Sequence, residues 1–204
     1  DAIHLEQKIL EENVGVQDQV AASYGGFNRI DFGGPHKIAV QPVSIPSENY
    51  HKLQDHLMLF YTGLARSASD IAAEQIRVIS QKEKEKELKT MHGMVDQAID
   101  ILKSGNSLND FGKLLHESWQ LKRELTGSIS TPDVDEIYQR GRAAGALGGK
   151  LLGAGGGGFM VFYVPQGCRD AVRAALAPLI EVQVNVDMSG SKIVVYEPDG
   201  LQSR

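Results

Sequence analysis

Residues 150–164 read KLLGAGGGGFMVFYV, and between Gly153 and Gly158 only Ala154 carries a Cβ. A run of this kind has almost no side chains to pack and loses much backbone entropy on ordering, so a physical requirement has to hold it. From Phe159 to Val164 the sequence is apolar on both alternating faces, the pattern of a buried central strand. A glycine loop that leads into a buried strand presents bare main-chain N–H groups to whatever comes close. The usual anion for such a loop is phosphate. A plain turn that lets two elements pack closely is the simpler reading of the same residues.

Gly153, Gly155 and Gly158 formally satisfy G-x-G-x-x-G. The dinucleotide version of that motif needs a strand before it, a helix after it and an acid about 20 positions further on. Here a strand follows the glycines, so a nicotinamide cofactor is not expected. The Walker form fails as well, because Lys150 precedes the glycines and is followed by Leu151.

The rest of the composition narrows the class. A chain of 204 residues holds one large domain, or one domain and a piece of another. A net charge of −5, with no basic stripe interleaved with aromatics, gives no support to nucleic acid as a partner. The run KEKEKE at 82–87, extended by Lys89, alternates in sign and reads as a solvated helix face. The single cysteine, Cys168, excludes an internal disulfide and fits a reducing compartment, so the expected location is cytoplasmic. No apolar run approaches the roughly 20 residues of a membrane span, and no membrane partner is expected. His116-Glu117 begins an H-E-x-x-H zinc motif, but position 120 is Gln.

Read in order, DAIHLEQKIL has the character of a helix interior from its first residues, with neither cap nor leading strand. The chain is therefore expected to be the later part of a longer protein or a cleaved product. Helix is expected over residues 2 to about 12, with Glu6 sharing a face with apolar neighbours. Glu6 is either a solvated acid at the edge of the stripe or a partly desolvated one needing a cation or donor. Gly15 breaks that helix, Asp18 to Ser23 resumes it, Gly25-Gly26 ends it, and Phe27 to Phe32 alternates as a strand. Asp18 sits in a first helical turn. There it serves the helix dipole or is aimed at a substrate hydroxyl.

Pro35, Pro42 and Pro46 punctuate a connection from about 33 to 52, where the domain boundary is placed: 1–42 and 43–204. Leu57 to Thr62 reads as a strand, followed by a helix from near Ser67. Arg66 stands at that helix start, either as a surface arginine or as one that holds an anion. Helix is expected from 67 to 145, with a capping box at Ser107-x-x-Asp110 and a start at Thr131-Pro132. Arg169 to Leu179 is an amphipathic helix, and Val182 to Val195 reads as a hairpin turning at Ser189-Gly190. Four strands in the later domain, with helices packed on one side, give an α+β sandwich on a largely antiparallel sheet.

Several of these segments together resemble one family. GAGGGGFMVFY is similar to the third conserved motif of the GHMP kinases, and Gly15-Val16-Gln17-Asp18-Gln19 to their catalytic-aspartate segment. Within that superfamily QDQVAASYGGFNRIDF (17–32), LFYTGLARSAS (59–69) and GALGGKLLGAGGGGFMVFY (145–163) resemble the D-glycero-D-manno-heptose 7-phosphate kinases. The resemblance runs over nearly the whole chain.

It implies that residues 1–42 end an S5-like N-terminal domain and that 43–204 form a ferredoxin-like GHMP kinase C-terminal domain. It implies an ATP-dependent sugar 1-kinase acting on a heptose 7-phosphate and feeding nucleotide-activated heptose synthesis. The alternatives are a kinase of fucose or galactose, or a non-catalytic sugar-binding regulator of the same fold. Asp18 would be the catalytic carboxylate and Glu6 a ligand of magnesium. Gly153, Gly155, Gly156 and Gly157 would lie beside the phosphates of ATP. Tyr24, Gly26 and Asn28 would contact the sugar. Arg66 is expected to contact the phosphate of the substrate on the chemistry of its side chain, not on the resemblance. The partners would be a sugar phosphate and ATP, and a dimer is an open option. The family's second motif, a proline followed by G-L-G-S-S-A, has no match here and is expected to precede Asp1. This chain alone is therefore expected to bind ATP weakly or not at all, and to be inactive.

Overall fold

The computed structural model describes residues 1–33, 38–64, 68–81, 83–104 and 107–194, with the backbone alone at 68–70. In chain order the described elements are α1 (Ala2–His4), continued by a π-helical turn at Leu5–Ile9, α2 (Gln17–Tyr24), β1 (Asn28–Phe32) and β2 (Ile38–Pro42). Then come α3 (Ser47–His56), β3 (Leu57–Tyr61), α4 (Ala68–Ser80), α5 (Glu85–Ser104), α6 (Asn109–Arg123) and α7 (Pro132–Ala143). The chain continues with β4 (Gly148–Leu151), β5 (Phe159–Tyr163), α8 (Arg169–Leu176) and β6 (Ile180–Val182). Contacts divide it into two compact units, one built of residues 3–14 and 44–185, the other of residues 15–43 with the segment from Val186 on.

In the larger unit, β4, β5, β3 and β6 lie in that order in one sheet, and every pairing is antiparallel. The register places Leu151, Met160, Phe162, Met58 and Phe60 on one face. All five are buried, against Ile129, Val134, Ile137, Tyr138, Val172 and Leu176 from the helical side. At about 1.5–3 kcal/mol for each fully buried large apolar side chain, this layer dominates the stability of the unit. Gly141 of α7 has no room for a Cβ because the Phe162 ring lies 2.6 Å from where it would sit. The opposite face carries Leu59, Tyr61, Phe159, Val161 and Lys150. Tyr61 and Phe159 there stay more than a third exposed, their rings 5.3 Å apart. The fold is α+β, as the element pattern implies.

Helix α7 starts as its sequence requires. Thr131 accepts a hydrogen bond from Val134 N at 3.2 Å, and Pro132 takes the first helical position. At α6 the expected capping box is absent. Leu108 is the N-cap, and Ser107 contributes its main-chain carbonyl, which accepts from Asp110 N at 3.1 Å. Of the KEKEKE run, Glu85, Lys86 and Glu87 open α5, where Lys89 pairs with Glu85 at 2.6 Å, and Lys82 lies outside the described residues.

Three further expectations are corrected. The stretch 33–52 is not a bare connection, since β2 pairs with β1 from Asn28↔Pro42 to Phe32↔Ile38 and Ser47–His56 is helical. The first helix is shorter than residues 2–12, passing into a π-helical turn that closes at Ile9, with Leu5, Ile9 and Leu10 exposed. The hairpin over 182–195 does not form among the described residues. Strand β6 covers only Ile180–Val182, beside β3, and the fourth strand of the sheet is β4 instead.

In the smaller unit the segment after Val186 straps the end of α2. Asp187 O accepts from Gly26 N at 2.7 Å, and Ser23 O accepts from Ser191 N at 3.0 Å. Gly25 and Gly190 are in direct main-chain contact, an approach that a Cβ on either would prevent.

Candidate functional site

The glycine loop joins β4 to β5 across the tip of an antiparallel hairpin. Its glycines answer two close approaches. A Cβ on Gly157 would sit 2.5 Å from the Leu64 carbonyl oxygen, and one on Gly155 2.8 Å from that of Ile129. Gly156 N donates to Ile129 O at 3.0 Å and Gly158 N to Leu64 O at 3.0 Å, so the main chain ties the loop to both neighbours. The Gly158 carbonyl accepts from both the N–H and the hydroxyl of Thr62, each at 2.9 Å.

Side chains hold the other half of the loop. Lys122 Nζ, at the end of α6, donates to Gly153 O at 2.8 Å, and Gln75 Nε2 of α4 donates to Ala154 O at 2.7 Å. The N–H groups of Ala154, Gly155 and Gly157 meet no main-chain acceptor among the described residues. These residues are half-exposed, whereas Gly156 is buried. A cradle of main chain with unspent donors fits an anion with several oxygens. Neither Gln75 nor Lys122 carries any sequence signal, since they stand 79 and 31 residues from their partners.

The other expected residues fall as follows. Glu6 is half-buried in the π-helical turn, and its carbonyl accepts from Glu12 N at 3.0 Å. Among the described residues no three His, Cys, Asp or Glu side chains gather into a metal cage. A magnesium ion at Glu6 would therefore have to take most of its oxygens from phosphate and water. In the smaller unit, Asp18 is exposed in the first turn of α2. Tyr24 closes that helix and is 61% exposed. Gly26 follows with its N–H held by Asp187, and Asn28 Nδ2 donates to Gly25 O at 2.6 Å. Tyr24, Gly26 and Asn28 thus gather at one turn, with Asp18 at the other end of α2. Arg66 lies outside the described residues.

Burial pushes the phenols of Tyr138 and Tyr163 up to about 12. Burial, and then the nearby Arg142 charge, hold His116 below the usual imidazole value. Burial also lowers Lys150, on β4 just before the loop. An open cavity of about 750 Å³ lies between the end of α3 and β6, with Gln54, Arg169 and Glu181 in its wall. It contains none of the expected residues. Its polar groups answer one another: Arg169 donates to Asp55 O at 2.6 Å and lies 3.7 Å from Glu181.

Residues 85–178 match the family described as GHMP kinases C terminal. The chain is 34% identical, over 80% of its own length and 48% of the relative's, to a D-glycero-alpha-D-manno-heptose 7-phosphate kinase of Campylobacter jejuni. It is 25% identical, over 82% of its length, to a bifunctional fucokinase/GDP-fucose pyrophosphorylase of Arabidopsis thaliana, of which it covers 16%. The chain spans about half the length, or less, of these relatives. Its fold is similar to part of a D-glycero-D-manno-heptose 1-phosphate kinase from Bacteriodes thetaiotaomicron, with a TM-score of 0.66 at 24% identity, covering 95% of this chain and 54% of the other. The matched residues lie within the larger unit and take in α5 to α8, β4, β5 and the glycine loop between them, while β3 and β6 lie outside the match. Residues 85–178 of this chain form a GHMP kinase C-terminal domain.

Proposed function

We propose that the chain is the later part of an ATP-dependent sugar kinase that phosphorylates the anomeric hydroxyl of a heptose 7-phosphate, for nucleotide-activated heptose synthesis in the cytoplasm. Residues 1–42 would close an S5-like N-terminal domain and 43–204 form the ferredoxin-like C-terminal one. The observation that carries the substrate class is the 34% identity to a heptose 7-phosphate kinase over 80% of the chain. The glycine loop, with donors left over after its own main chain is satisfied, supports a polyphosphate ligand.

Phosphoryl transfer asks a protein for placement and charge neutralisation rather than for a covalent intermediate. In this reading the N–H groups around Gly155 and Gly157 hold phosphate oxygens, while Gly153 and Gly156 keep the loop in shape. Asp18 accepts the hydroxyl proton of the sugar, a modest demand because an anomeric hydroxyl is more acidic than an ordinary alcohol. Tyr24, Gly26 and Asn28 contact the sugar, and Arg66 its 7-phosphate. Glu6 would be one ligand of a magnesium ion, which when bound offsets phosphate charge.

A second reading keeps the chemistry and changes the sugar to fucose, on the similarity to the plant fucokinase. Assay of the full-length protein on heptose 7-phosphate, fucose and galactose separates the two. Equal or better turnover of an unphosphorylated sugar removes the heptose. Asp18→Asn should lower kcat by about 100-fold or more while sugar binding survives. Full activity in that variant would overturn the assignment, and an inactive wild-type protein that still binds sugar would be the regulator.

A further inference from the structure

Main-chain bonds from Gly156 to Ile129 and from Gly158 to Leu64 already close the glycine loop. A turn that only had to connect β4 to β5 would need nothing more. Yet two side chains from two different helices reach in and donate to the carbonyls of successive residues, Lys122 to Gly153 and Gln75 to Ala154. Each gives up rotamer freedom to do so, which suggests that the orientation of those carbonyls matters.

The peptide units here are trans, Ala177–Pro178 being the cis bond among the described residues. In a trans unit C=O and N–H point in opposite directions. Holding Gly153 O against Lys122 therefore turns Ala154 N–H away from Lys122. Holding Ala154 O against Gln75 likewise turns Gly155 N–H away from α4. Glycine flanks both units, so either could rotate at small cost and present its carbonyl instead. A carbonyl facing a polyphosphate repels it, whereas an N–H attracts it.

We propose that Gln75 and Lys122 are positioning residues that lock the Gly153–Ala154 and Ala154–Gly155 peptide planes with their N–H groups toward a bound polyphosphate. The inference rests on the phosphate-binding reading of this loop. Gln75 touches no reacting atom and works through the Ala154 carbonyl. Lys122 works through Gly153, and its charge adds to the attraction for an anion.

The test is amide NMR of the full-length protein, 15N-labelled, titrated with magnesium adenylyl imidodiphosphate, alongside the KM for ATP and for sugar. In the wild type the Ala154 and Gly155 amides should shift on saturation. In Gln75→Glu, which places a carboxylate against the Ala154 carbonyl, the Gly155 shift should vanish. KM for ATP should rise about tenfold, the value of one misdirected donor, with KM for sugar unchanged. Gln75→Lys restores a donor and should recover both readouts, which separates orientation from general damage to α4. In Lys122→Met the Ala154 shift should be lost. Wild-type shifts that persist unchanged in Gln75→Glu and Lys122→Met would overturn the positioning role and leave phosphate binding standing. Wild-type amides that ignore the nucleotide would overturn the phosphate reading, and this inference with it.

Discussion

Gly157 lies so close to the main chain of Leu64 that a Cβ built on it would stand 2.5 Å from the Leu64 carbonyl oxygen and 2.7 Å from its carbonyl carbon. Both obstacles are backbone, which cannot swing aside as the end of a side chain can. Gly157→Ala should therefore push the loop off Leu64 and strain the neighbouring Gly158–Leu64 hydrogen bond, at a cost of about 2 kcal/mol or more. Gly167 is the control: it is exposed and has nothing within 4 Å of its Cβ position. Gly167→Ala should stay within about 0.5 kcal/mol of wild type. Urea unfolding of the two variants side by side checks the contrast, and equal stability would contradict the close approach.

Tyr163 is fully buried, and its hydroxyl has no hydrogen-bond partner among the described residues. The ring packs against His56, with centroids 5.0 Å apart, and against Phe111. A buried hydroxyl without a partner costs about 1–3 kcal/mol of lost hydration. Tyr163→Phe keeps the ring and removes the cost. The variant should be about 1 kcal/mol more stable and melt about 2–4 °C higher, read by calorimetry. A lower melting temperature would mean that the hydroxyl is satisfied in solution.

His116 and Tyr138 tie α6 to α7 through a 2.6 Å hydrogen bond between the ring Nδ1 and the phenol. Protonation places a charge on the half-buried His116 ring. Burial and Arg142 lower the folded pKa, while Glu117 opposes them. The unfolded chain therefore binds the proton more readily, and stability rises with pH in this window. The contribution is complete above the unfolded value of about 6.5 and is lost as pH falls through the lower folded value. His116→Gln removes the titration, so its denaturation midpoint should fall less than that of wild type between pH 7 and pH 5. Parallel pH profiles for the two proteins would sink the assignment.

Much of the local structure was readable along the chain. Thr131-Pro132 set the start of α7, Gly25-Gly26 set the end of α2, and the apolar runs at Leu57 and Phe159 gave β3 and β5. Strand β4 was not readable, because Gly148 and Gly149 supply no strand propensity. It exists through pairing with β5 and the main-chain approach of Gly112 on α6. Helix α3 was hidden because it buries only Asn49 and Leu53, so its apolar pattern is thin. Strand β2 was masked by Pro42, which ends it where a missing N–H does little harm. In the candidate site, the glycines and Asp18 stood out by type and spacing. Gln75 and Lys122 did not, since nothing in a lone Gln or Lys announces a distant carbonyl.

The sequence by itself determined the α+β class, the family and the glycine loop, because periodicity, caps and a run of residues without Cβ atoms are local properties of a chain. Tertiary structure alone decided which loop N–H groups are spent on Ile129 and Leu64 and which are left over. Hydrogen bonding of a main-chain group depends on what folding brings beside it, and Gln75, Lys122, Leu64 and Ile129 reach the loop only through packing.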